Sequence, residues 1–187
     1  HTYRVRVRMR DNTGRWSHWS APVEFTAAAA DAALWQQNLV VSEINYHPLP
    51  PATPAELAAT ADKNDFEFIE LRNISASETL DLTELAFTAG ITFDFAAAAV
   101  TELPPGACVL VVKNPAAFEA RYGTGLPVAG SYPNSLDNAG EQLVLALAGT
   151  AVRDFTYDDD APWPASPDGG GPTLVLCDPF ANPDHGV

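Results

Sequence analysis

Apolar and charged positions alternate strictly at the start of the chain. Residues 3–9 read Tyr3, Arg4, Val5, Arg6, Val7, Arg8 and Met9. This period of two predicts a β-strand with one buried face. The turn residues 11–14 follow, and a short apolar segment at 23–25 supplies a returning strand. Because two strands are too few to fold alone, we expect a partial hairpin whose remaining domain lies outside this chain.

From residue 39 onward, short apolar segments are separated by turns rich in proline and glycine. The clear strand predictions are 39–46, 66–72, 108–112, 143–147, 152–157 and 173–177, and weaker ones are 85–88 and 91–95. Many short strands without long helical periodicity favour an all-β sandwich over an α/β enzyme fold.

Two short helices are predicted to decorate this β fold. Thr53, Pro54 and Glu56 form a capping-box pattern that opens a helix reaching about residue 62. Asn114 opens a second helix, which ends before Gly123.

The chain is predicted to contain two modules joined by a linker. We expect the hairpin at 1–27, an alanine-rich linker at 28–38 in which a short helix could precede Trp35, and the larger domain at 39–187. Residues 1–30 carry five arginines against two acids, a net +3, whereas residues 31–187 carry five basic residues against 22 acids, a net −17. This reversal of charge supports two modules of different origin.

Composition excludes several classes of function. The 187 residues are 47% hydrophobic and 18% charged, a globular balance. No apolar run approaches the roughly 20 residues that span a bilayer. The acidic part would repel phosphates and anionic lipid, so we expect neither a nucleic-acid partner nor membrane insertion.

The first module resembles the last two strands of a fibronectin type III domain. The resemblance rests on the alternation at 3–9 and on Trp-Ser-His-Trp-Ser at 16–20. In that family the two tryptophans stack between arginines, which here implies Trp16 and Trp19 with Arg4, Arg6 and Arg8. A structural ladder is favoured over a ligand-binding receptor module.

The larger module is similar to bacterial lamin-tail domains. The motifs that carry the resemblance are VVSEINYHP at 40–48, DFEFIELRN at 65–73, LDLTELAF at 80–87, LPPG at 103–106, LDNAGEQL at 136–143, DFTY at 154–157, WP at 163–164, DGGGPTL at 168–174 and DP at 178–179. The resemblance implies an immunoglobulin-like β-sandwich in a large secreted or surface protein, where it helps to attach or organise neighbouring domains. It transfers no catalytic residue. It also implies that the domain continues past residue 187, and we expect any export signal upstream of residue 1.

Candidate chemistry is sparse. The four histidines form no recognised catalytic or zinc motif, and the three glycines at 169–171 predict a sharp turn rather than a phosphate loop. Asp158, Asp159 and Asp160, with Asp154 nearby, crowd one strand end. Closely spaced carboxylates suit Ca²⁺, although a solvated acidic surface is the favoured alternative.

Two further residue types leave alternatives open. Trp163 is either a sugar-stacking platform or, as favoured, a buried corner residue that holds its loop. Cys108 and Cys177 are either a disulfide or, as favoured, two buried thiols.

The sequence therefore predicts a non-catalytic structural or interaction module of a larger secreted or surface bacterial protein, with a protein or glycan partner. The alternative is an accessory module of an extracellular enzyme that binds carbohydrate or Ca²⁺. A hydrolase fragment would require two or more polar groups that converge in one pocket.

Overall fold

The computed structural model describes residues 2–26 and 31–180. The chain divides into two compact units, residues 1–30 and residues 31–187. The division falls inside the predicted linker. We describe each unit by itself.

The helices and strands are numbered in chain order. They are β1 Thr2–Val5, β2 Val23–Thr26, α1 Ala33–Asn38, β3 Leu39–Asn45, α2 Pro54–Ala59, β4 Phe68–Asn73, β5 Leu80–Asp81, β6 Leu85–Ala89, β7 Phe93–Asp94, β8 Glu102–Leu103, β9 Cys108–Val112, α3 Pro115–Tyr122, β10 Val128–Ser131, β11 Glu141–Leu147, β12 Thr150–Tyr157 and β13 Leu174–Val175. Short 3₁₀ helices occupy Lys63–Phe66 and Phe95–Ala97.

In the first unit, β1 pairs antiparallel with β2. The rings of Tyr3 and Phe25 stack across this pair, with centroids 5.4 Å apart. The regular strand ends at residue 5, earlier than the predicted residue 9. Beyond it the chain continues beside the Trp-Ser-His-Trp-Ser segment, because the backbone N–H of Val7 donates to Ser20 Oγ and that of Met9 to Ser17 Oγ. The backbone N–H groups of the same serines donate to the carbonyls of Val7 and Met9, so each hydroxyl replaces one of the two bonds of a regular pair.

The apolar face of the first unit was expected to be buried, and that expectation is wrong for this chain. The exposed fractions are 47% for Tyr3, 46% for Val5, 62% for Val7 and 77% for Met9. Burial of a sheet face requires a second layer, which a two-stranded sheet does not supply.

Two larger sheets and one small one build the second unit. The five-stranded sheet has the order β10-β9-β4-β3-β13, and the four-stranded sheet has the order β12-β11-β6-β7. Strands β10 and β9 are parallel, and every other described pair is antiparallel. A two-stranded sheet joins β5 and β8. The described chain is thus mostly β with short helices, as predicted, while the immunoglobulin-like sandwich arrangement stays a prediction.

Alternate positions of β4 and β11 enter the core, whereas the consecutive residues 109–112 of β9 are all buried. Ile69 and Leu71 of β4 and Leu143 and Leu145 of β11 are almost completely buried. The ring of Tyr46, which follows β3, lies 4.9 Å from the ring of Tyr157 at the end of β12. This contact brings an end of each large sheet together. Burial of such side chains contributes roughly 2 kcal/mol each.

The two predicted helices are confirmed, with their caps. Thr53 Oγ1 accepts from the backbone N–H of Glu56 while the Glu56 carboxylate accepts from that of Thr53. Helix α2 ends at residue 59, earlier than the predicted residue 62, because Thr60 is extended. Asn114 caps α3, and Gly123 with φ of 90° ends it.

Strands β5, β8 and β10 were not predicted, and the other differences concern α1 and the ends of segments. Residues 33–38, inside the predicted linker, form α1, whose Trp35 Nε1 donates to the Asp81 carbonyl over 2.8 Å. Phe66 belongs to a 3₁₀ helix rather than to β4. The last strand is shorter than predicted, with residues 174 and 175 alone.

Candidate functional site

Three consecutive carboxylates form what we call the acidic turn, directly after β12. One oxygen each from Asp158, Asp159 and Asp160 lies within 4.8 Å of the others. Partial burial, followed by the charges of Asp160 and Asp168, raises the pKa of Asp159. Asp154 does not join them, since it accepts a hydrogen bond from Gln142 across the hairpin over 2.6 Å. The acidic turn therefore offers oxygens to a hard cation.

Trp163 lies close in the chain to the acidic turn and is partly buried. Its backbone N–H donates to the carbonyl of Asp160 over 3.0 Å, and a cis peptide joins Ala161 to Pro162. The backbone of Trp163 thus closes the turn, while part of its indole stays accessible. Trp163 is therefore neither the fully buried corner residue nor the fully open sugar platform that the sequence suggested.

A chain of polar contacts runs from the glycine-rich loop to the 3₁₀ helix. His47 Nδ1 lies 2.6 Å from Asp168 Oδ1, and His47 Nε2 lies 2.5 Å from Lys63 Nζ. Gly169, with φ of 66°, faces the imidazole, since a Cβ there would lie 3.2 Å from it. The glycine turn predicted at 169–171 is confirmed. The absence of a side chain at Gly169 also leaves space for the His47 ring.

One cavity, of about 320 Å³, is bordered by a proline-rich loop and the helices α2 and α3. Its lining includes Glu56, Arg121, Asn45 and Tyr122. Arg121 Nε donates to Glu56 Oε1 over 2.6 Å, and Asn45 Nδ2 donates to the Tyr122 hydroxyl over 3.0 Å. The hydrogen bond from Arg121, and then those from two backbone N–H groups, lower the pKa of Glu56 to about 2. These polar groups are bonded mutually.

A second cavity, of about 390 Å³, is bordered by Asp65, Lys113, Asn114 and Tyr132, among others. Asp65 Oδ2 accepts hydrogen bonds from Asn114 Nδ2 over 3.0 Å and from a threonine hydroxyl over 2.6 Å. The ammonium of Lys113 contacts the Ser135 hydroxyl. Polar groups do converge here, but they too bond each other.

Glu67 lies fully buried beside this region. Its Oε2 accepts from the backbone N–H of Leu136 over 2.9 Å and lies 3.5 Å from the Tyr132 hydroxyl. Its Oε1 has no hydrogen-bond partner among the described residues. Burial raises the pKa of Glu67 to about 7, against the opposing effects of the Leu136 hydrogen bond and the Lys113 charge.

The two cysteines are free thiols, Cys108 partly buried and Cys177 exposed. Cys108 begins β9, and Cys177 follows β13 in the same sheet. Strands β4 and β3 separate them, so the register places them roughly 14 Å apart, beyond disulfide reach. Burial and the nearby Glu70 raise the pKa of the Cys108 thiol to about 11, which makes it a poor nucleophile.

An arginine–tryptophan stack organises the first unit. The Arg8 guanidinium lies 4.2 Å from the Trp16 ring centroid and 4.8 Å from that of Trp19, and Arg10 lies 5.7 Å from Trp16. The predicted ladder is confirmed for Arg8. For Arg4 and Arg6 it is wrong, because the serine hydrogen bonds to residues 7 and 9 set the tryptophans opposite positions 8–10.

The acidic turn was predictable because its three carboxylates are contiguous in the sequence. Arg121 and Lys63 were not predicted as site residues, since their partners lie 65 and 16 residues away in the chain. For Glu67, a polar residue between two phenylalanines was the available signal.

Neither a protein-family model, nor a curated protein, nor a solved structure matches this chain. Within residues 2–26 and 31–180, no helix has the length and apolar character needed to cross a membrane.

Proposed function

We propose that this chain is a non-catalytic structural and interaction module of a larger secreted or cell-surface bacterial protein, in which it attaches or positions neighbouring domains. In this proposal the second unit is a lamin-tail-like, immunoglobulin-like β-sandwich, and the first unit is the end of a fibronectin type III domain. One observation carries the proposal: the polar side chains named above at two cavities of the second unit are held by hydrogen bonds and an ion pair within the protein.

Catalysis by side chains needs a nucleophile or base with room for a substrate beside it. In the cavity beside the proline-rich loop, Arg121 is used to hold Glu56 and two backbone carbonyls, those of Leu49 and Pro50. In the other cavity, Asp65 holds Asn114, which caps α3. Groups that fasten loops and helix ends in this way favour a rigid spacer over an enzyme.

A surface-retention experiment tests the proposal. The chain fused to a fluorescent protein would be incubated with bacterial envelope preparations, and the fluorescent protein alone serves as the control. We expect the fusion to be retained and the control to be washed away. Equal loss of both proteins would contradict attachment. Turnover of chromogenic esters or glycosides by the purified chain would contradict the non-catalytic assignment.

The acidic turn favours a second candidate, an accessory module that binds Ca²⁺ or carbohydrate beside an extracellular enzyme. Its three carboxylates are close enough to share one cation. The partly accessible Trp163 lies three residues after Asp160 and could stack on a sugar ring. Glycan-array binding that is lost in Trp163→Ala, with the fold retained, would support the carbohydrate part of this candidate.

A further inference from the structure

The arginine–tryptophan stack of the first unit stops at Trp19. Arg8 covers Trp16 and Trp19 at cation–π distance. Beyond Trp19 lies a cavity of about 470 Å³ bordered by Trp19, Arg4 and Arg6. Since Trp19 is 54% exposed, part of its indole is available to a ligand. The cavity therefore combines an accessible indole with two guanidinium groups.

The two arginines at this cavity are only weakly engaged. Arg6 makes no hydrogen bond, ion pair or ring contact with any residue in the described part of the chain. Arg4 Nε lies 3.5 Å from Glu24 Oε1, but each side chain is 63% exposed. Exposed ion pairs of this kind contribute little to stability, so Arg4 can exchange Glu24 for another anion.

We propose that this cavity binds an acidic sugar unit of an anionic polysaccharide, with the sugar ring against Trp19 and its carboxylate or sulfate group against Arg6 and Arg4. A guanidinium donates two parallel hydrogen bonds to a carboxylate or a sulfate, which a lysine cannot do. An indole offers a flat apolar surface to the C–H face of a sugar ring. The biological meaning of this site rests on the attachment role proposed above. The site supplies that role with a chemically defined partner.

The charge of the whole chain favours a sparse polyanion over a dense one. Residues 1–30 carry a net +3, and residues 31–187 carry a net −17. Double-stranded DNA carries one charge per about 1.7 Å, so it would meet strong repulsion from the acidic part of the chain. A glycan with one charge per sugar brings fewer charges to the same length of contact. An acidic glycan is therefore the partner for which the site is best suited.

Isothermal titration calorimetry of the full chain with a galacturonic acid hexamer, at 50 mM NaCl, tests the site. We expect saturable binding that weakens at least fivefold at 300 mM NaCl. Arg6→Gln should weaken binding at least tenfold, because it removes one of the two guanidinium groups that would hold the anion. Arg15→Gln removes the same charge from the same unit but outside the cavity, so its affinity should change less than threefold.

Several results would overturn the proposal. They are an absence of binding to both the galacturonic acid hexamer and a sulfated heparin hexamer, equal affinities of Arg6→Gln and the unchanged chain, and equal binding of a neutral cellohexaose. Tighter binding of a single-stranded DNA hexamer would assign the site to nucleic acid instead. If the acidic oligosaccharides do not bind while the fluorescent fusion stays on envelopes, the site fails and the attachment role stands. If the acidic oligosaccharides bind while the fusion is washed away, the site stands and the attachment role fails.

Discussion

Arg121 in α3 donates through Nε to Oε1 of Glu56 in α2, and both side chains are largely buried, with exposed fractions of 15% and 7%. The Arg121 guanidinium also lies 3.4 Å from the ring centroid of Phe66 and donates to the carbonyls of Leu49 and Pro50. The second Glu56 oxygen accepts the N–H groups that precede α2. One ion pair therefore fastens two helices and the proline-rich loop to the core.

Glu56→Gln should lower the free energy of unfolding by about 2 kcal/mol, because it removes a charge-assisted hydrogen bond and leaves a largely buried guanidinium without its counter-ion. Urea denaturation at pH 7 measures this loss. Glu119→Gln changes an exposed carboxylate on α3 and should cost less than about 0.5 kcal/mol. Equal losses in the two variants would contradict a structural role for the pair.

The same ion pair predicts a loss of stability in acid. The pKa of Glu56 is about 2 in the folded protein and 4.5 in its unperturbed state. A carboxyl with a depressed folded pKa stabilises the protein above its unfolded pKa, and this contribution disappears as the pH falls from about 4.5 to about 2. Urea midpoints recorded across this range should fall more steeply for the unchanged chain than for Glu56→Gln. Parallel curves would be the contrary result.

The elements of this fold follow from local patterns, and that is why most could be predicted. The capping box at Thr53 and Glu56 and the asparagine cap at Asn114 depend on residues within one helical turn. The apolar segment at 108–112 became β9 with its predicted bounds. Segment ends were less predictable. The first strand stops early because the N–H groups of Val7 and Met9 donate to the hydroxyls of Ser20 and Ser17, so that only half of the bonds to its continuation are backbone to backbone.

The candidate sites divide in the same way. The acidic turn is contiguous in sequence, so its carboxylates could be grouped from the sequence alone. Asp154 looked equivalent by proximity, but its position in β12 places it opposite Val144, and its carboxylate bonds to Gln142. The burial of Glu67 depends on the loop at Tyr132 and Leu136, almost 70 residues later. The local sequence shows only that Glu67 lies between two phenylalanines, and it does not identify these distant partners.

Gly140 is the glycine whose replacement should damage the second unit most clearly. Its φ is 95°, and a Cβ would lie 2.4 Å from the Tyr157 carbonyl oxygen and 2.8 Å from the Asp158 Cα. Gly140→Ala should therefore cost about 3 kcal/mol, from backbone strain together with displacement of the strand end that leads into the acidic turn.

Gly106→Ala is the matched control for that substitution. Gly106 also has a positive φ, 73°, but a Cβ there would meet no atom within 4 Å. It should show the backbone strain alone, about 1 kcal/mol. Thermal and urea unfolding of the two variants would measure the difference. Equal costs would show that the close contact at Gly140 relaxes freely.

Glu67 should make the fold less stable as the pH rises through neutrality. Its folded pKa is about 7, against 4.5 unperturbed, so the folded protein holds this proton more tightly than the unfolded chain. Stability from this group is present below about pH 4.5 and decreases until about pH 7, by roughly 2 to 3 kcal/mol. Urea denaturation at pH 5 and pH 8 measures the change.

Glu67→Gln separates this effect from the general repulsion of an acidic chain. The amide oxygen can still accept from Leu136, and the side chain no longer ionises. The free energy of unfolding should therefore decrease less between pH 5 and pH 8 in Glu67→Gln than in the unchanged chain. The difference between the two decreases should be most of the roughly 2 to 3 kcal/mol assigned to Glu67. Glu119→Gln, which replaces an exposed carboxylate, should show the full decrease in the free energy of unfolding. An unaltered decrease in Glu67→Gln would show that Glu67 is not the responsible group.

Ca²⁺ should stabilise the second unit through the acidic turn. Three carboxylates whose oxygens lie within 4.8 Å of one another repel each other without a cation, and a bound cation removes that repulsion. A cation that binds the folded state and not the unfolded chain raises the thermal midpoint. We expect millimolar CaCl₂ to raise it by about 2 to 4 °C and EDTA to reverse the change. The double variant Asp159→Asn and Asp160→Asn should lose this response, whereas Asp154→Asn, whose partner is Gln142, should retain it. A midpoint that is the same in CaCl₂ and in EDTA would leave these carboxylates as a solvated acidic surface.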